Sequence, residues 1–335
     1  MVLMKPLVLR VELPERLYSG GEKLSGSVLL EAEQPLSVAG LKVTVSGRAR
    51  VEHRGGAGGG RRRREEEEYL RREEVLRLEE QLTTDSDGCF LLQPQKLYRF
   101  CFGFELPAAG LVSSYKGKFG SVRYCVRAEL DRPSQNALRC EREFEVEEPL
   151  DVNQPDLMAP ATGSAHKRVT CVFIPDGQVS ISARIQRKGF CEGEDISINA
   201  QFENTTSRMV VPKAAIIAKH TYSAEGRSKE SREKLCCVRG NHIISGMCDT
   251  WQGKTLRVPK LRPSLLGCDI ITVDYSLVIY LHIPGSEKLT LDLPLVIGTL
   301  SGVGSRTSSV SSWASLPLPP PPQLGLPPPR PAQLQ

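Results

Sequence analysis

Residues 18–31, YSGGEKLSGSVLLE, recur at residues 190–203 as FCEGEDISINAQFE, and the two stretches align without a gap. Each copy has an aromatic residue, two further residues, a Gly-Glu pair, an apolar-Ser pair and a run that ends in Glu. A looser echo sets VRYCVRAEL from Val122 against VDYSLVIYL from Val273. Self-similarity at a fixed offset is typical of a duplicated supersecondary unit. The sequence therefore predicts a tandem duplication of one β unit.

Strand periodicity extends over most of the chain. In YRFCFGFELP, aromatic side chains take every second position, which is typical of a half-buried strand; they are Tyr98, Phe100, Phe102 and Phe104. Turn signals separate such runs, for example SGG at 19–21, SDG at 86–88 and PDG at 175–177. We therefore predict an all-β fold of two tandem immunoglobulin-like antiparallel β-sandwiches.

The same patterns predict four segments. We expect one sandwich in residues 1–150, a linker at 151–167 that is rich in prolines and small residues, and a second sandwich in 168–300. Residues 301–335 form a Ser/Pro-rich tail that is predicted to be disordered or to adopt polyproline II structure. In this tail, Ser309 follows Arg306 by three residues, which makes it a candidate phosphorylation site for a basophilic kinase.

Residues 61–82, RRRREEEEYLRREEVLRLEEQL, leave two local structures open. Helix-forming residues and Arg-Glu pairs four apart favour an exposed helix. The alternative is a solvated charge run on a long hairpin tip, which would follow the flexible GGAGGG at 55–60. The pairs run with Arg first, which is the weaker orientation in a helix, and an isolated helix of this length is marginal in water. We favour the hairpin.

Composition and motifs exclude several classes of function. The chain has 44 basic and 39 acidic residues, and a net charge of +5 is weak for a nucleic-acid binder of 335 residues. The longest unbroken apolar runs, such as AAIIA at 214–218, are too short for a transmembrane segment. No nucleophile elbow, phosphate loop, HExxH motif or dinucleotide fingerprint is present. We therefore predict that the protein is not an enzyme and needs no cofactor.

Ten cysteines stand in the chain, and none belongs to a CxxC pair of the kind that binds zinc. Because no secretory leader is evident, we expect reduced thiols and a cytoplasmic location, with the nucleus left open. Most of these cysteines lie in strand patterns, where a thiol packs as a small apolar side chain. Cys248 differs, because polar residues and a glycine surround it, which predicts a loop or strand end open to solvent. Arg239, His242 and Lys254 could add positive charge there, and Asp249 opposes it.

Longer blocks resemble a known family. They are SYKGKFGSVRYCVRAEL, PDLMAP, FIPDGQVSISARIQRKGFCEGEDISI, VVPKAAIIAKHTY, RGNHIISGMC, LRPSLLGC and LDLPLVIG. They resemble the α-arrestins over nearly all of residues 1–312, most densely in 151–297, and most closely those members that bind thioredoxin. The resemblance implies two arrestin-like sandwiches in a cytosolic adaptor that binds thioredoxin, links membrane cargo such as glucose transporters or receptors to endocytosis, and restrains growth and glucose uptake. It also implies that Cys248, in RGNHIISGMC, forms the mixed disulfide with thioredoxin, ahead of Cys191 or the Cys236-Cys237 pair.

Two departures from the resembled proteins limit what carries over. Those proteins have a further cysteine just before the EYL that matches residues 68–70, where this chain has RRRREEE, so a disulfide to that position is in doubt. Their tails recruit WW-domain ubiquitin ligases through PPxY motifs, and no PPxY motif occurs here. A second hypothesis is therefore a thiol-independent trafficking scaffold that holds receptor or transporter tails and links them to endocytosis and ubiquitination, with peripheral association at the plasma membrane or endosomes.

Overall fold

The computed structural model describes residues 7–54, 61–133, 135–171, 174–286 and 288–301. Twelve strands form the first half of these residues: β1 Leu7–Glu12, β2 Leu17–Tyr18, β3 Lys23–Ala32, β4 Leu36–Val38, β5 Gly40–Arg54, β6 Arg62–Leu76, β7 Thr83–Thr84, β8 Phe90–Leu92, β9 Leu97–Glu105, β10 Tyr115–Lys116, β11 Gly120–Arg132 and β12 Gln135–Val146. The second half has α1 Pro155–Met158, β13 Ala161–Cys171, β14 Ile174–Ile185, β15 Gly189–Cys191, β16 Asp195–Asn204, β17 Val211–Ala224, β18 Arg227–Arg239, β19 Met247–Arg257, β20 Ile271–His282 and β21 Leu289–Gly298. The prediction of an all-β fold is confirmed.

Each half contains two larger sheets. The first half has the strand orders β1-β3-β9 and β2-β12-β11-β5-β6, with β10 beside β11 and a small β4-β8-β7 sheet. The second half has the orders β13-β14-β16-β19 and β15-β21-β20-β17-β18. Apolar side chains on facing strands fill one continuous buried cluster, because alternate residues of each strand point inwards. The four aromatic residues predicted to share a buried face of β9 do so.

The duplicated stretches take equivalent places in the two halves. Tyr18 begins the first copy in the short strand β2, which pairs in parallel with β12, and Phe190 begins the second in β15, which pairs in parallel with β21. Both aromatic rings are buried. After its turn, each copy crosses to the other sheet of its half, as β3 next to β1 and as β16 next to β14. The repeat therefore corresponds to one structural unit that is used twice.

The segment predicted as a linker contains regular structure. The helix α1 lies at its centre, and β13 begins at Ala161 and pairs with β14 along its whole length. The expected start of the second sandwich at residue 168 is therefore seven residues later than the start of this strand. β13 was not predicted from the sequence, because ATGSAHKRVTC has small and polar residues and no clear alternation of apolar ones. Among its described side chains, only Ala161 and Val169 are buried.

Residues 62–76 form a strand and not a helix. β6 pairs antiparallel with β5 from Arg54↔Arg62 to Leu41↔Leu76, with one irregularity in register near Gly47. Its helix-forming side chains are held extended because the backbone hydrogen bonds to β5 and the burial of Leu70 and Leu76 outweigh local propensity. The hairpin alternative is thus confirmed for these residues. The connecting residues 55–60 lie outside the described structure.

A buried cluster of polar rings joins the two halves. The Lys118 amide donates to the Tyr222 hydroxyl (3.2 Å), and the Tyr115 hydroxyl lies 2.7 Å from the Tyr222 hydroxyl and 2.8 Å from His220 Nδ1. With a neutral His220, every donor in this chain of hydrogen bonds has an acceptor. Burial lowers the pKa of His220, an effect that Glu233 opposes and Arg262 reinforces. Protonation of Nδ1 would turn that nitrogen from an acceptor into a donor, so the Tyr115 hydroxyl would have to accept and the hydrogen bonds between the rings would have to reverse.

We expect the free energy of unfolding to fall as the pH drops below the pKa of an ordinary histidine. The folded pKa of His220 is depressed, so the unfolded chain, with a pKa of about 6.5, takes up the proton first. The contribution is present above about pH 6.5 and is lost as the pH falls through the lower folded pKa. Thermal unfolding at about pH 7.5 and 5.5 measures it. A His220→Gln protein should show a smaller pH dependence, and an equal dependence in both proteins would contradict the assignment.

Candidate functional site at the edge of β19

Cys248 is the second residue of β19 and is exposed. Among the described residues, β19 is the outer strand of its sheet, where Cys248 lies opposite Glu203 of β16. Trp251, three positions along, points into the core, so Cys248 lies on the opposite, solvent-facing side of the strand. The thiol therefore lies at an accessible strand end, as its polar neighbours predict.

The loop before Cys248 is fixed by a buried amide. Asn204 is only 1% exposed, and its Nδ2 donates to the carbonyls of Arg208 (2.7 Å) and Ile243 (3.0 Å). Its Oδ1 accepts hydrogen bonds from the backbone N–H (3.0 Å) and hydroxyl (2.7 Å) of Thr206. Ile243 is also buried and exchanges two backbone hydrogen bonds with Val210. One side chain thus holds together the two loops that flank β16 and β19. The sequence alone does not reveal this role, because the Ile243 carbonyl is 39 residues away along the chain.

Removal of this amide should destabilise the site. In an Asn204→Ala protein, the Thr206 N–H loses its buried acceptor and the Arg208 carbonyl loses its shorter hydrogen bond, whereas the Ile243 carbonyl keeps the Val210 amide. Each buried group left unpaired costs about 1–3 kcal/mol. We expect the free energy of unfolding to fall by about 3 kcal/mol, measured by urea denaturation. Asn199→Ala is the matched control, because exposed Asn199 on the same strand accepts a single backbone hydrogen bond. Equal losses in the two proteins would refute the role of Asn204.

Two exposed apolar side chains flank the thiol. Ile244 is 58% exposed and Met247 is 53% exposed. A turn brings them together, because the Met247 amide donates to the Ile244 carbonyl (3.2 Å) and Gly246 takes the left-handed conformation with φ of 72°. Exposed apolar surface beside a reactive group is typical of a partner-binding site. The sequence signal for this feature is the apolar pair itself, which stands among polar loop residues.

Trp251 forms the rigid base of this edge. Its ring packs edge-on against Phe202, with centroids 5.0 Å apart, and Lys254 lies 6.0 Å from the Trp251 ring centroid. A Cβ atom at Gly240 would lie 2.8 Å from the indole nitrogen, so only glycine allows the chain to pass this close. β19 is therefore anchored by a buried aromatic pair while its first two residues stay exposed.

The charged groups near Cys248 have other contacts. Arg239 Nη2 donates to His242 Nε2 (2.9 Å), and Lys254 lies over Trp251. Asp249 accepts a hydrogen bond from the backbone N–H of the next residue, and the cross-strand neighbour Glu203 accepts one from Ser180 Oγ (3.1 Å). Arg239 and His242 thus contact each other, and Lys254 lies over an aromatic ring. The site offers access to solvent and an apolar flank.

The other cysteines separate by exposure. Among the described side chains, Cys101, Cys237 and Cys248 are exposed, and Cys191 and Cys268 are buried. Burial raises the pKa of the Cys191 and Cys236 thiols, so both become poorer nucleophiles. The two fallback positions for thiol chemistry, Cys191 and the Cys236-Cys237 pair, thus reduce to Cys237. Ser309 lies outside the described residues.

Two other kinds of site are absent from the residues that the structure describes. There, no group of three or more His, Cys, Asp or Glu side chains is arranged to hold a metal ion. In the same residues, no helix has the length and the apolar character that crossing a membrane requires.

Comparison with known proteins places the chain in a family. Residues 8–153 match the family described as Arrestin (or S-antigen), N-terminal domain, and residues 175–301 match its C-terminal domain. The chain is 52% identical over 302 residues to the thioredoxin-interacting proteins of Mus musculus and Homo sapiens, which covers 90% of this chain and 75% and 76% of those proteins. It is 44% identical over 322 residues to arrestin domain-containing protein 4 of Homo sapiens, covering 91% of this chain and 76% of that protein. The chain therefore belongs to the arrestin family, as its resemblance to the α-arrestins predicts.

Proposed function

We propose that this protein is an α-arrestin adaptor that captures thioredoxin through a mixed disulfide at Cys248. The observation that carries the proposal is the exposed thiol at the free edge of β19, flanked by exposed Ile244 and Met247. Its support from the comparisons is that similar chains are named thioredoxin-interacting protein. An edge strand also exposes backbone N–H and C=O groups, and an extended segment of a partner can form hydrogen bonds with them.

The covalent step balances without an added oxidant. The Cys248 thiolate attacks one sulfur of the disulfide in oxidised thioredoxin, the new S–S bond forms, and the second thioredoxin sulfur leaves as a thiolate that takes up a proton. The disulfide of the partner supplies the electrophile, so Cys248 itself needs access more than a neighbouring base. Capture of thioredoxin in this way inhibits it, because one of its active-site sulfurs is blocked.

The finer roles form part of the same proposal. Capture of thioredoxin would couple redox and metabolic state to endocytosis of membrane cargo and to growth suppression, in the cytoplasm and at the cytoplasmic face of membranes. The alternative, a trafficking scaffold that works without a thiol, predicts no covalent adduct. The covalent adduct with thioredoxin therefore distinguishes the two hypotheses.

Trapping the adduct tests the proposal. A thioredoxin variant that lacks its resolving cysteine is loaded at the remaining active-site cysteine with thionitrobenzoate, then mixed with the reduced full chain. Attack by Cys248 releases thionitrobenzoate and leaves a linked complex that cannot resolve. We expect one equivalent of released thionitrobenzoate and a band of summed mass on a non-reducing gel that disappears with reductant. Absence of that band would favour the thiol-independent scaffold.

A further inference from the structure

The strand β6 is the outer strand of a sheet and carries the longest charge run in the chain. In the part of the chain that the structure describes, β6 pairs only with β5, so its other edge has no strand beside it. The turn between β17 and β18 contacts one face of this hairpin: Arg63 Nη1 donates to the Glu225 carbonyl (3.3 Å), and the Glu225 amide donates to Glu65 Oε2 (2.8 Å). These contacts are made by side chains on a face of the sheet. Among the described residues, no backbone group pairs with the outer edge of β6.

The charges along this edge form two blocks of opposite sign. Residues 61–64 are all arginine and residues 65–68 are all glutamate, and their side chains are exposed or half-buried. Scattered charges on an edge strand usually keep other chains away. Two adjacent blocks of opposite charge have a different effect, because the positive start of the strand can attract the negative block of another copy. Such a strand is complementary to itself when it runs in the opposite direction.

Symmetry fixes how two copies can meet. Two identical antiparallel edge strands are related by a two-fold axis perpendicular to the sheet, so one residue faces its own copy and its neighbours pair symmetrically about it. With the axis at Glu65, three opposite-charge pairs form on each side, namely Arg64 with Glu66, Arg63 with Glu67 and Arg62 with Glu68. A parallel, in-register pairing would instead place arginine on arginine. Charge complementarity therefore selects the antiparallel arrangement.

We propose that the edge of β6 is a homodimer interface, at which β6 of a second copy adds antiparallel and the two sheets become continuous. The one like-charged pair, Glu65 with its own copy, lies at the axis. There the Glu65 carboxylate accepts a hydrogen bond from the Glu225 amide, which holds the carboxylate towards its own chain. Glu66 is also 2.8 Å from Arg48 and 2.6 Å from Arg64 of its own chain, so the pairs across the interface extend an existing network. Because these groups are solvent-exposed, the dimer is weak and sensitive to salt.

Sedimentation of the reduced full chain tests this interface, with reductant present so that no disulfide links two copies. We expect a monomer–dimer equilibrium between low and high micromolar concentration at about 50 mM salt and mostly monomer at about 500 mM salt. Two block variants invert one sign each: Arg61→Glu/Arg62→Glu/Arg63→Glu/Arg64→Glu and Glu65→Arg/Glu66→Arg/Glu67→Arg/Glu68→Arg. Each alone should raise the dissociation constant by about tenfold or more, because every cross-strand pair becomes repulsive. An equimolar mixture of the two should recover a heterodimer.

The mixture distinguishes loss of the interface from loss of the fold. Far-ultraviolet circular dichroism checks that both variants keep their strand content, and recovery of a heterodimer by folded variants supports the proposal. The matched control, Arg71→Glu/Arg72→Glu/Glu73→Arg/Glu74→Arg, swaps charges on the same strand outside the block and should dimerise like the parent. A parent protein that is monomeric throughout, folded variants that dimerise unchanged, or a mixture that stays monomeric would each overturn the proposal.

Discussion

Replacing Cys248 by serine is expected to abolish the trapped thioredoxin adduct while leaving the fold unchanged. The adduct depends on one sulfur atom, and a hydroxyl at the same place cannot form a disulfide. The side chain is exposed and lies on the outer side of β19, so the exchange removes little packing. We expect the band of summed mass and the release of thionitrobenzoate to be lost. The free energy of unfolding should stay within about 0.5 kcal/mol of that of the parent.

The other exposed thiols provide the matched controls. Cys101→Ser and Cys237→Ser remove the two further exposed thiols among the described side chains, and both proteins should form the adduct as the parent does. A Cys248→Ser protein that still forms a reducible adduct would show that another cysteine captures thioredoxin. If only Cys237→Ser abolished the band, the assignment would move to the edge of β18.

Replacing Tyr222 by alanine is expected to cause one of the largest losses of stability in the molecule. Tyr222 is 1% exposed, packs edge-on against Phe119 with centroids 5.5 Å apart, and hydrogen-bonds Tyr115 and the Lys118 amide. A Cβ atom at Gly117 would lie 2.3 Å from both the Tyr115 and Tyr222 hydroxyls, which shows how little space surrounds them. Loss of such a ring costs about 3–5 kcal/mol in unfolding free energy.

Urea denaturation of the alanine protein and two further variants measures this effect. Tyr222→Phe keeps the ring but leaves the Lys118 amide without its partner, so we expect a loss of about 1–3 kcal/mol. Tyr280→Ala is the control, because Tyr280 lies half-buried on β20 with the Lys288 ammonium over its ring, and its loss should be the smallest. Similar losses for Tyr222→Ala and Tyr280→Ala would contradict a special role for the cluster.

The fold was predictable where side chains alternate strongly. The aromatic residues of β9 and the repeat that begins at Tyr18 and Phe190 carry apolar side chains large enough to mark a buried face. β13 escaped because small side chains leave little periodic signal, although backbone pairing with β14 specifies it fully. In β6, local helix propensity competed with pairing to β5. Helix propensity can be judged from neighbouring residues, whereas pairing depends on a strand elsewhere in the chain and is harder to predict from one sequence.

The site was predictable only in its local part. The exposure of Cys248 follows from its immediate neighbours, which the sequence places beside it. The role of Asn204 depends on the carbonyl of Ile243, which is distant in sequence and approaches only when β16 and β19 pair. The cations Arg239 and Lys254 are near Cys248 in sequence, yet the structure pairs the first with His242 and places the second over Trp251. Closeness in sequence to Cys248 therefore did not predict the contacts that these two cations make.

The buried pair of Trp251 and Phe202 makes the β19 edge optically visible. Trp251 lies three residues from Cys248 on the same strand, and Trp313 of the tail is the other indole in the chain. In a Trp313→Phe protein, all tryptophan emission would come from the strand that carries the thiol. Its wavelength would report the polarity around that strand, and quenching by a ligand at the thiol would give the rate of capture in real time.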